Sequence, residues 1–297
     1  MPQVEQERFQ FKSDDGLSIA CVKWTGHHQV RAVVQIAHGL GEHSGRYAEL
    51  AETLVQAELV VYASDHRGHG LTAEPTGSFG EFGPGGFNQL VADMLSLRVI
   101  AKNEHPGKPY LLLGHSMGSF AAQQFILDHS HSIDGLVLSG SGTLDGLARV
   151  AQSVPPGGDP NKLMNAAFEP ARTPFDWLSR DSAEVDAYIA DPLCFASLSR
   201  RSMESFLDTF PRLADPTELR KVRQDLPIYV LSGSDDPVGQ RLEGVRALVD
   251  RYRSAGIALI AHDFYPGGRH EMFHELNRRE VITDLLVWIS RVLGLVS

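Results

Sequence analysis

Two pentapeptides in this chain carry residue types that do chemistry. Gly114-His115-Ser116-Met117-Gly118 is a G-x-S-x-G sequence that directly follows the apolar run Tyr110-Leu111-Leu112-Leu113 and precedes a helical pattern from Ser119 to Leu127. In that strand-turn-helix setting Ser116 is a candidate nucleophile. The turn is sharp enough to strain the serine's backbone, and side chains at 114 and 118 would collide with neighbouring chain, so glycine stands at both. The hydroxyl is presented above a sheet edge, at a helix N-terminus whose free N–H groups favour the negative charge of acyl transfer. The second pentapeptide, His270-Glu271-Met272-Phe273-His274, matches H-E-x-x-H, in which two histidines one helical turn apart hold zinc and the glutamate acts as base. Zinc would need a helix and a third ligand. Gly267-Gly268 predicts a loop at His270, and Glu275 and Glu280 belong to no ligand pattern, so no metal and no cofactor is expected.

A serine hydroxyl is a poor nucleophile until a base takes its proton, and the base needs a carboxylate to fix its tautomer and stabilise the imidazolium. Both partners follow Ser116 in the order acid then histidine, each in a loop after an apolar run. Pro227 to Leu231 leads into Ser232-Gly233-Ser234-Asp235-Asp236-Pro237-Val238, and Ile257 to Phe264 leads into Tyr265-Pro266-Gly267-Gly268-Arg269-His270. His270 lies in the loop and is the expected base, with His274 in the helix beyond. Spacing leaves Asp235 and Asp236 both open as the acid, the other being a turn or cap residue. His38-Gly39-Leu40-Gly41-Glu42-His43 ends the run Val33 to Ala37 with glycines where backbone must approach a reacting carbonyl. The oxyanion donors are therefore expected to be the backbone N–H groups of Leu40 and Met117, supported by Gly39, Gly41, Gly114 and Gly118.

The elements that must position these residues are apolar, β-branched runs at Ile19–Trp24, Val30–Ala37, Leu59–Ala63, Tyr110–Leu113, Gly135–Leu138, Ile228–Leu231 and Ile257–Phe264, read as strands. Helical patterns fall at Phe87–Ala101, Met117–Asp128, Leu242–Ser254 and Met272–Leu293. Such alternation predicts an α/β fold, a mostly parallel sheet with helices on both faces; the first two strands read as an antiparallel start. Residues 143–217 break the alternation, with Pro155-Pro156-Gly157-Gly158, Pro160, Pro170, Pro174 and Pro192 between short amphipathic pieces. A structureless loop of about 75 residues is uncommon in a compact domain. The expectation is a helical cap at 143–217 over the carboxyl edge of a core formed by 1–142 and 218–297. Leu147, Val150, Val154, Leu163, Met164, Phe168, Phe175, Trp177 and Leu178 are its apolar residues, suited either to holding an acyl chain or to packing the cap.

Composition narrows the partners. With 37 acidic against 27 basic residues and a formal net charge of −10, the chain lacks the basic surface that nucleic acid requires. Cys21 and Cys194 are far apart and outside any C-x-x-C pattern, the N-terminus is polar and acidic where a secretory signal is basic then apolar, and no apolar stretch is long enough to span a bilayer. A cytoplasmic protein is expected, free to make transient contact with a membrane surface. Its oligomeric state is not legible.

Four stretches together resemble a known group: His38-Gly39-Leu40-Gly41-Glu42-His43-Ser44-Gly45-Arg46-Tyr47, Asp65-His66-Arg67-Gly68-His69-Gly70, Gly114-His115-Ser116-Met117-Gly118 and Gly233-Ser234-Asp235-Asp236. They are similar to the monoacylglycerol lipase and lysophospholipase-like serine hydrolases of the α/β-hydrolase superfamily. The likeness runs from about Phe9 onward and is weakest in the cap. It implies Asp236 as the acid and His270 as the base. Leu40 stands where alanine is frequent, a change that bears on pocket volume more than on a backbone N–H. The resemblance also implies that the Asp65 to Gly70 turn supports the site, with His66 and His69 hydrogen-bonding, and that the substrates are monoacylglycerol or lysophospholipid esters cleaved through an acyl-enzyme. An esterase for small generic esters, and a catalytically weak receptor or scaffold on the same fold, are the alternatives.

Overall fold

The structure, a computed structural model, describes residues 3–143, 145, 160–195 and 197–295. Strands β1 (Val4–Lys12), β2 (Ser18–Gly26), β3 (Ala32–Ala37), β4 (Leu59–Ser64), β5 (Tyr110–His115), β6 (Gly135–Ser139), β7 (Ile228–Gly233) and β8 (Ile260–Tyr265) form one sheet in the order β1-β2-β4-β3-β5-β6-β7-β8. β2 is antiparallel to β1 and β4, and all other pairs are parallel.

Strands buried on both faces are mainly apolar, and β3, β4, β5, β6 and β7 are buried throughout. Alternate residues then serve opposite layers. Val33, Val60, Leu112, Leu136 and Val230 pack with Leu90, Met94 and Leu97 of helix Gly86–Glu104, Phe125 of helix Met117–His129 and Leu248 of helix Glu243–Ser254. Val34, Val61, Leu111, Val137 and Tyr229 face the other way, against Leu50 and Leu54 of helix Ala48–Gln56 and Val281, Leu285 and Ile289 of helix Arg278–Val292.

Two expectations differ from the structure. The antiparallel pairing of Ile19–Trp24 with Val30–Ala37 is absent: β4 lies between them, and β3 is an interior parallel strand. The antiparallel start is instead β1 with β2; β1 is an edge strand whose charged residues are exposed, so it has no apolar run to betray it. The pattern Met272–Leu293 is not one helix but a 3₁₀ turn, Met272–His274, followed after a break by Arg278–Val292.

Two features aim the sheet at a site. The chain leaves β3 toward β4 on one side and leaves β5 toward β6 on the other, so the carboxyl ends of β3 and β5 flank a switch point, where open α/β sheets bind ligands. Between β6 and β7 the described residues form helices Pro160–Asn165, Ser182–Ala190, Arg200–Leu207, Phe210–Ala214 and Pro216–Leu219. They sit on loops at the carboxyl edge: the N–H of Phe195 donates to Gly41 O (3.0 Å), that of Ser199 to Gly80 O (3.0 Å), and Leu178 O accepts from Glu271 N–H (2.8 Å). Leu147, Val150, Val154 and 155–158 lie outside the described residues. Among the described residues no helix is long and apolar enough to cross a membrane.

Candidate active site

Ser116 stands between β5 and helix Met117–His129 at φ 51° and ψ −121°, a conformation that is rare for a residue with a side chain. The surroundings over-determine it. Its N–H donates to Ser139 O (2.9 Å) on β6, and its carbonyl accepts from Ser119 N–H (2.8 Å) and Ser119 Oγ (2.6 Å). A Cβ on Gly114 would come within 2.5 Å of Gly118 O, and one on Gly118 within 2.1 Å of Ala37 O. Gly118 therefore lets the helix begin against the end of β3.

The loop after β3 passes directly beside the serine, because a Cβ on Gly39 would lie 3.1 Å from Ser116 Cβ. Gly41 has φ 72°, and a Cβ there would strike Phe195 O at 2.0 Å, so only glycine fits between loop and overlying segment. Glu42, which is fully buried, holds the loop: it accepts from Gly39 N–H (2.5 Å), Tyr47 O–H (2.7 Å) and Arg46 Nη1 (2.8 Å). Burial alone would raise this carboxyl's pKa, but the charge of Arg46, aided by His115, His38 and His274, holds it well below the ordinary carboxylate range. His38 fixes the next peptide. Its Nδ1–H donates to Gly39 O (2.8 Å) while Nε2 accepts from His66 N–H (2.9 Å), an arrangement available only to the neutral ring, and burial lowers its pKa accordingly. Among the described residues no backbone acceptor receives the N–H of Leu40 or of Met117, which leaves both for a ligand oxygen.

His270 and Asp236 complete the cluster. His270 Nδ1 lies 3.0 Å from Asp236 Oδ1, and both side chains are almost wholly buried. The same oxygen accepts from Val238 N–H (2.9 Å), while Asp235 is exposed. The His270 ring is 4.8 Å from His115, the neighbour of Ser116; Gly140 makes room for this, since a Cβ there would be 2.8 Å from Cε1 of both rings. Burial works against charge on His270, yet the charge and hydrogen bond of Asp236, with Glu271 and Glu42 beyond, outweigh it and hold the imidazole above its ordinary value.

H-E-x-x-H is not a zinc site here. His270 precedes the 3₁₀ turn, His274 Nε2–H donates to Arg46 O (2.9 Å), and both Glu271 oxygens are engaged by Arg46 (2.6 and 2.8 Å). One group among the described residues does bring three ligand-type atoms within 4.8 Å: His43, Asp191 and Cys194. His43 Nδ1 accepts from Gly45 N–H (3.2 Å), so the ring's proton is on Nε2, 2.9 Å from Asp191, and burial pushes the Cys194 thiol up to about 12. The group is thus a histidine–aspartate hydrogen bond beside a protonated thiol.

The structure places the expected residues Ser116, Asp236 and His270 just after β5, β7 and β8, with Leu40 after β3 and Met117 at the start of the helix that follows Ser116. Sequence reasoning missed the Glu42–Arg46–Glu271 clamp. The signal was present, since a carboxylate and a guanidinium four residues apart sit in the glycine-rich loop and a second carboxylate follows the histidine, but sequence does not show that all three are buried.

The family described as serine aminopeptidase, S33, matches residues 28–277 of this chain. A monoacylglycerol lipase of Mycolicibacterium smegmatis is 32% identical over 291 residues, covering 94% of this chain and 95% of its own length. Human monoglyceride lipase is 30% identical, covering 93% and 88%. A carboxyl esterase from Bacillus coagulans, solved in complex with glycerol, superposes with a TM-score of 0.88 at 30% identity, covering 97% of this chain and 99% of that one.

Proposed function

The chain belongs to the serine aminopeptidase S33 family of α/β-hydrolases, and on that premise we propose that it cleaves monoacylglycerols or lysophospholipids through an acyl-enzyme formed on Ser116. Within the family it is a carboxylic ester hydrolase acting on lipid-like substrates, as its monoacylglycerol lipase relatives are named. These relatives favour neither a generic esterase nor a receptor without turnover.

In this mechanism Ser116 Oγ attacks the ester carbonyl as His270 Nε2 takes its proton. Asp236 keeps the ring's other proton on Nδ1 and stabilises the imidazolium. The N–H groups of Leu40 and Met117 receive the negative oxygen of the tetrahedral intermediate, one such donor contributing about 3–4 kcal/mol. His270 then protonates the departing alcohol, and a water activated by the same ring releases the fatty acid. The observation that carries the reading is the strained serine beside Gly39, with an aspartate-bound imidazole in tilted contact with the adjacent His115.

Residues 143–217 are read as a cap on a core of 1–142 and 218–297, supported by the hydrogen bonds from Phe195 and Ser199 to the carboxyl-edge loops. Exposed Ile189 beside this edge and Leu276 suit transient contact with a lipid surface. A cytoplasmic setting belongs to the same reading and is supported by Cys21 and Cys194 being free thiols. The test is hydrolysis of a monoacylglycerol and of a p-nitrophenyl ester by the purified protein and by Ser116→Ala. The variant is expected to lose nearly all turnover of both, and unchanged turnover would refute the mechanism.

A further inference from the structure

One cluster of ligand-type groups takes no part in the proposed chemistry. A ring nitrogen of His43, a carboxylate oxygen of Asp191 and Cys194 Sγ lie within 4.8 Å of one another. They come from two parts of the fold. His43 stands in the loop after β3 that carries Leu40. Asp191 ends helix Ser182–Ala190 in the segment read as a cap, and the N–H of Cys194 donates back to Asp191 O (3.1 Å). The two segments already touch, since Phe195 N–H donates to Gly41 O (3.0 Å).

The surroundings favour a cation. Around Cys194, Arg46 stands against the three carboxylates Glu42, Asp191 and Glu271. Asp191 also lies at a helix C-terminus, where the aligned peptide dipoles attract positive charge. The group is reachable: the side chains of His43 and Asp191 are 12% and 29% exposed, and Cys194 is half-buried. A cavity of about 60 Å³, lined by His43, Ser44 and Leu193 among others, adjoins it.

Imidazole, carboxylate and thiolate are the donors of zinc sites, whereas magnesium and calcium take oxygen ligands. Zinc bonds of about 2.0–2.3 Å set tetrahedral ligand atoms about 3.3–3.6 Å apart, so closing this cluster takes a shift of about 1 Å. The ion replaces two protons. The thiol's goes to solvent, because a coordinating thiol is deprotonated outright. On His43 the metal takes Nε2 and the ring's proton moves to Nδ1, giving up the bond from Gly45 N–H (3.2 Å).

We propose that His43, Asp191 and Cys194 form an inhibitory zinc site, in which one ion, with water as its fourth ligand, fastens segment 191–195 to the loop after β3. Held there, the segment does not lift from the loop beside Ser116 to pass substrate and product, so zinc slows turnover. The binding stands on the cluster alone; the inhibition rests on the ester-hydrolase reading above.

The experiment titrates zinc, and separately magnesium, into the metal-free full chain and into Cys194→Ser. The unaltered protein should bind one zinc per chain, unfold at a higher temperature, and lose most of its turnover of a monoacylglycerol, with recovery on adding EDTA. Cobalt in place of zinc should give the near-ultraviolet absorption of a thiolate–cobalt bond. Magnesium should do none of this. Cys194→Ser should lose the absorption and the inhibition, measured against its own zinc-free rate. An unaltered protein without the cobalt–thiolate absorption would overturn the site, whether or not the variant folds. Inhibition undiminished in Cys194→Ser would place the ion elsewhere and overturn it equally. Zinc bound through Cys194 with turnover unchanged would refute the inhibition. A protein that binds zinc as expected and cleaves no ester would leave the site standing and sink the proposed function.

Discussion

At His270, two opposing forces meet in one ring. Burial favours the neutral imidazole, and the carboxylate of Asp236 favours the cation, with the carboxylate prevailing. A general base works only when neutral, so the acid limb of kcat/KM is expected above the ordinary imidazole value of 6.5. Asp236→Asn removes the charge that raises the ring and leaves the burial that lowers it. Its acid limb should move to lower pH while kcat falls by about 10⁴, through loss of the tautomer and of imidazolium stabilisation. A pH–rate series on both proteins checks this; a limb that stays put in the variant would mean that Asp236 does not govern the ring. Residue types alone could not separate Asp235 from Asp236, since both precede the same proline. Burial separates them, and burial depends on how the loop after β7 meets the loop after β8, where Asp235 N–H donates to Gly268 O (2.9 Å).

At the scale of elements, the loops after β3 and β8 are joined by Arg46, buried between Glu42 and Glu271. Glu42 holds Gly39, next to the proposed oxyanion donor Leu40, and Glu271 follows His270 directly, so one guanidinium registers the loop after β3 against the proposed base. Breaking a buried pair by removing one partner typically costs about 3–5 kcal/mol, because the other charge is stranded. Arg46→Met strands two carboxylates and should lower stability by at least that range, whereas Glu271→Gln retains shape and should cost less while still reducing kcat. Urea unfolding of the three proteins orders them; an Arg46→Met variant as stable as the parent would show that the clamp is dispensable. The elbow was legible because an apolar run, two glycines and a helical pattern are all local. β1 was not, since an exposed edge strand such as Val4–Lys12 needs no apolar run, and helix Ala48–Gln56 escaped because its buried face is only Leu50, Ala51, Leu54 and Val55. H-E-x-x-H shows the converse: a pattern that presumes a helix fails where Gly267-Gly268 keeps the first histidine in a loop.

For the molecule as a whole, the sheet order gathers the loops after β3, β5, β7 and β8 at one edge, and with them a set of buried histidines. Burial lowers His38 and His66, takes His69 down to about 3 and His115 to about 4, each helped by neighbouring histidines except where Glu42 opposes. For these groups the unfolded chain binds protons that the folded one refuses. Stability should therefore fall as pH drops below about 6.5, by about 1.4 kcal/mol per pH unit for each such ring until its folded pKa is reached. His270, raised instead, contributes in the opposite sense: its share is fully present below the unfolded value and is lost as pH rises through the folded one. Four rings outweigh one, so the urea midpoint at about pH 5 should be well below that at pH 7; a midpoint that holds or rises would contradict the burial argument. Parallel pairing order was not legible in the sequence, because interior strands that are mainly apolar carry no mark of which neighbour they take.

The convergence of 116, 236 and 270 on one reaction is tested most directly by a fluorophosphonate, which reacts only with a serine activated by its base. Intact-mass and peptide analysis should find one adduct per chain, on Ser116, formed far more slowly in Asp236→Asn and absent in Ser116→Ala. An adduct on another residue, or none on a protein that turns over esters, would contradict the assignment.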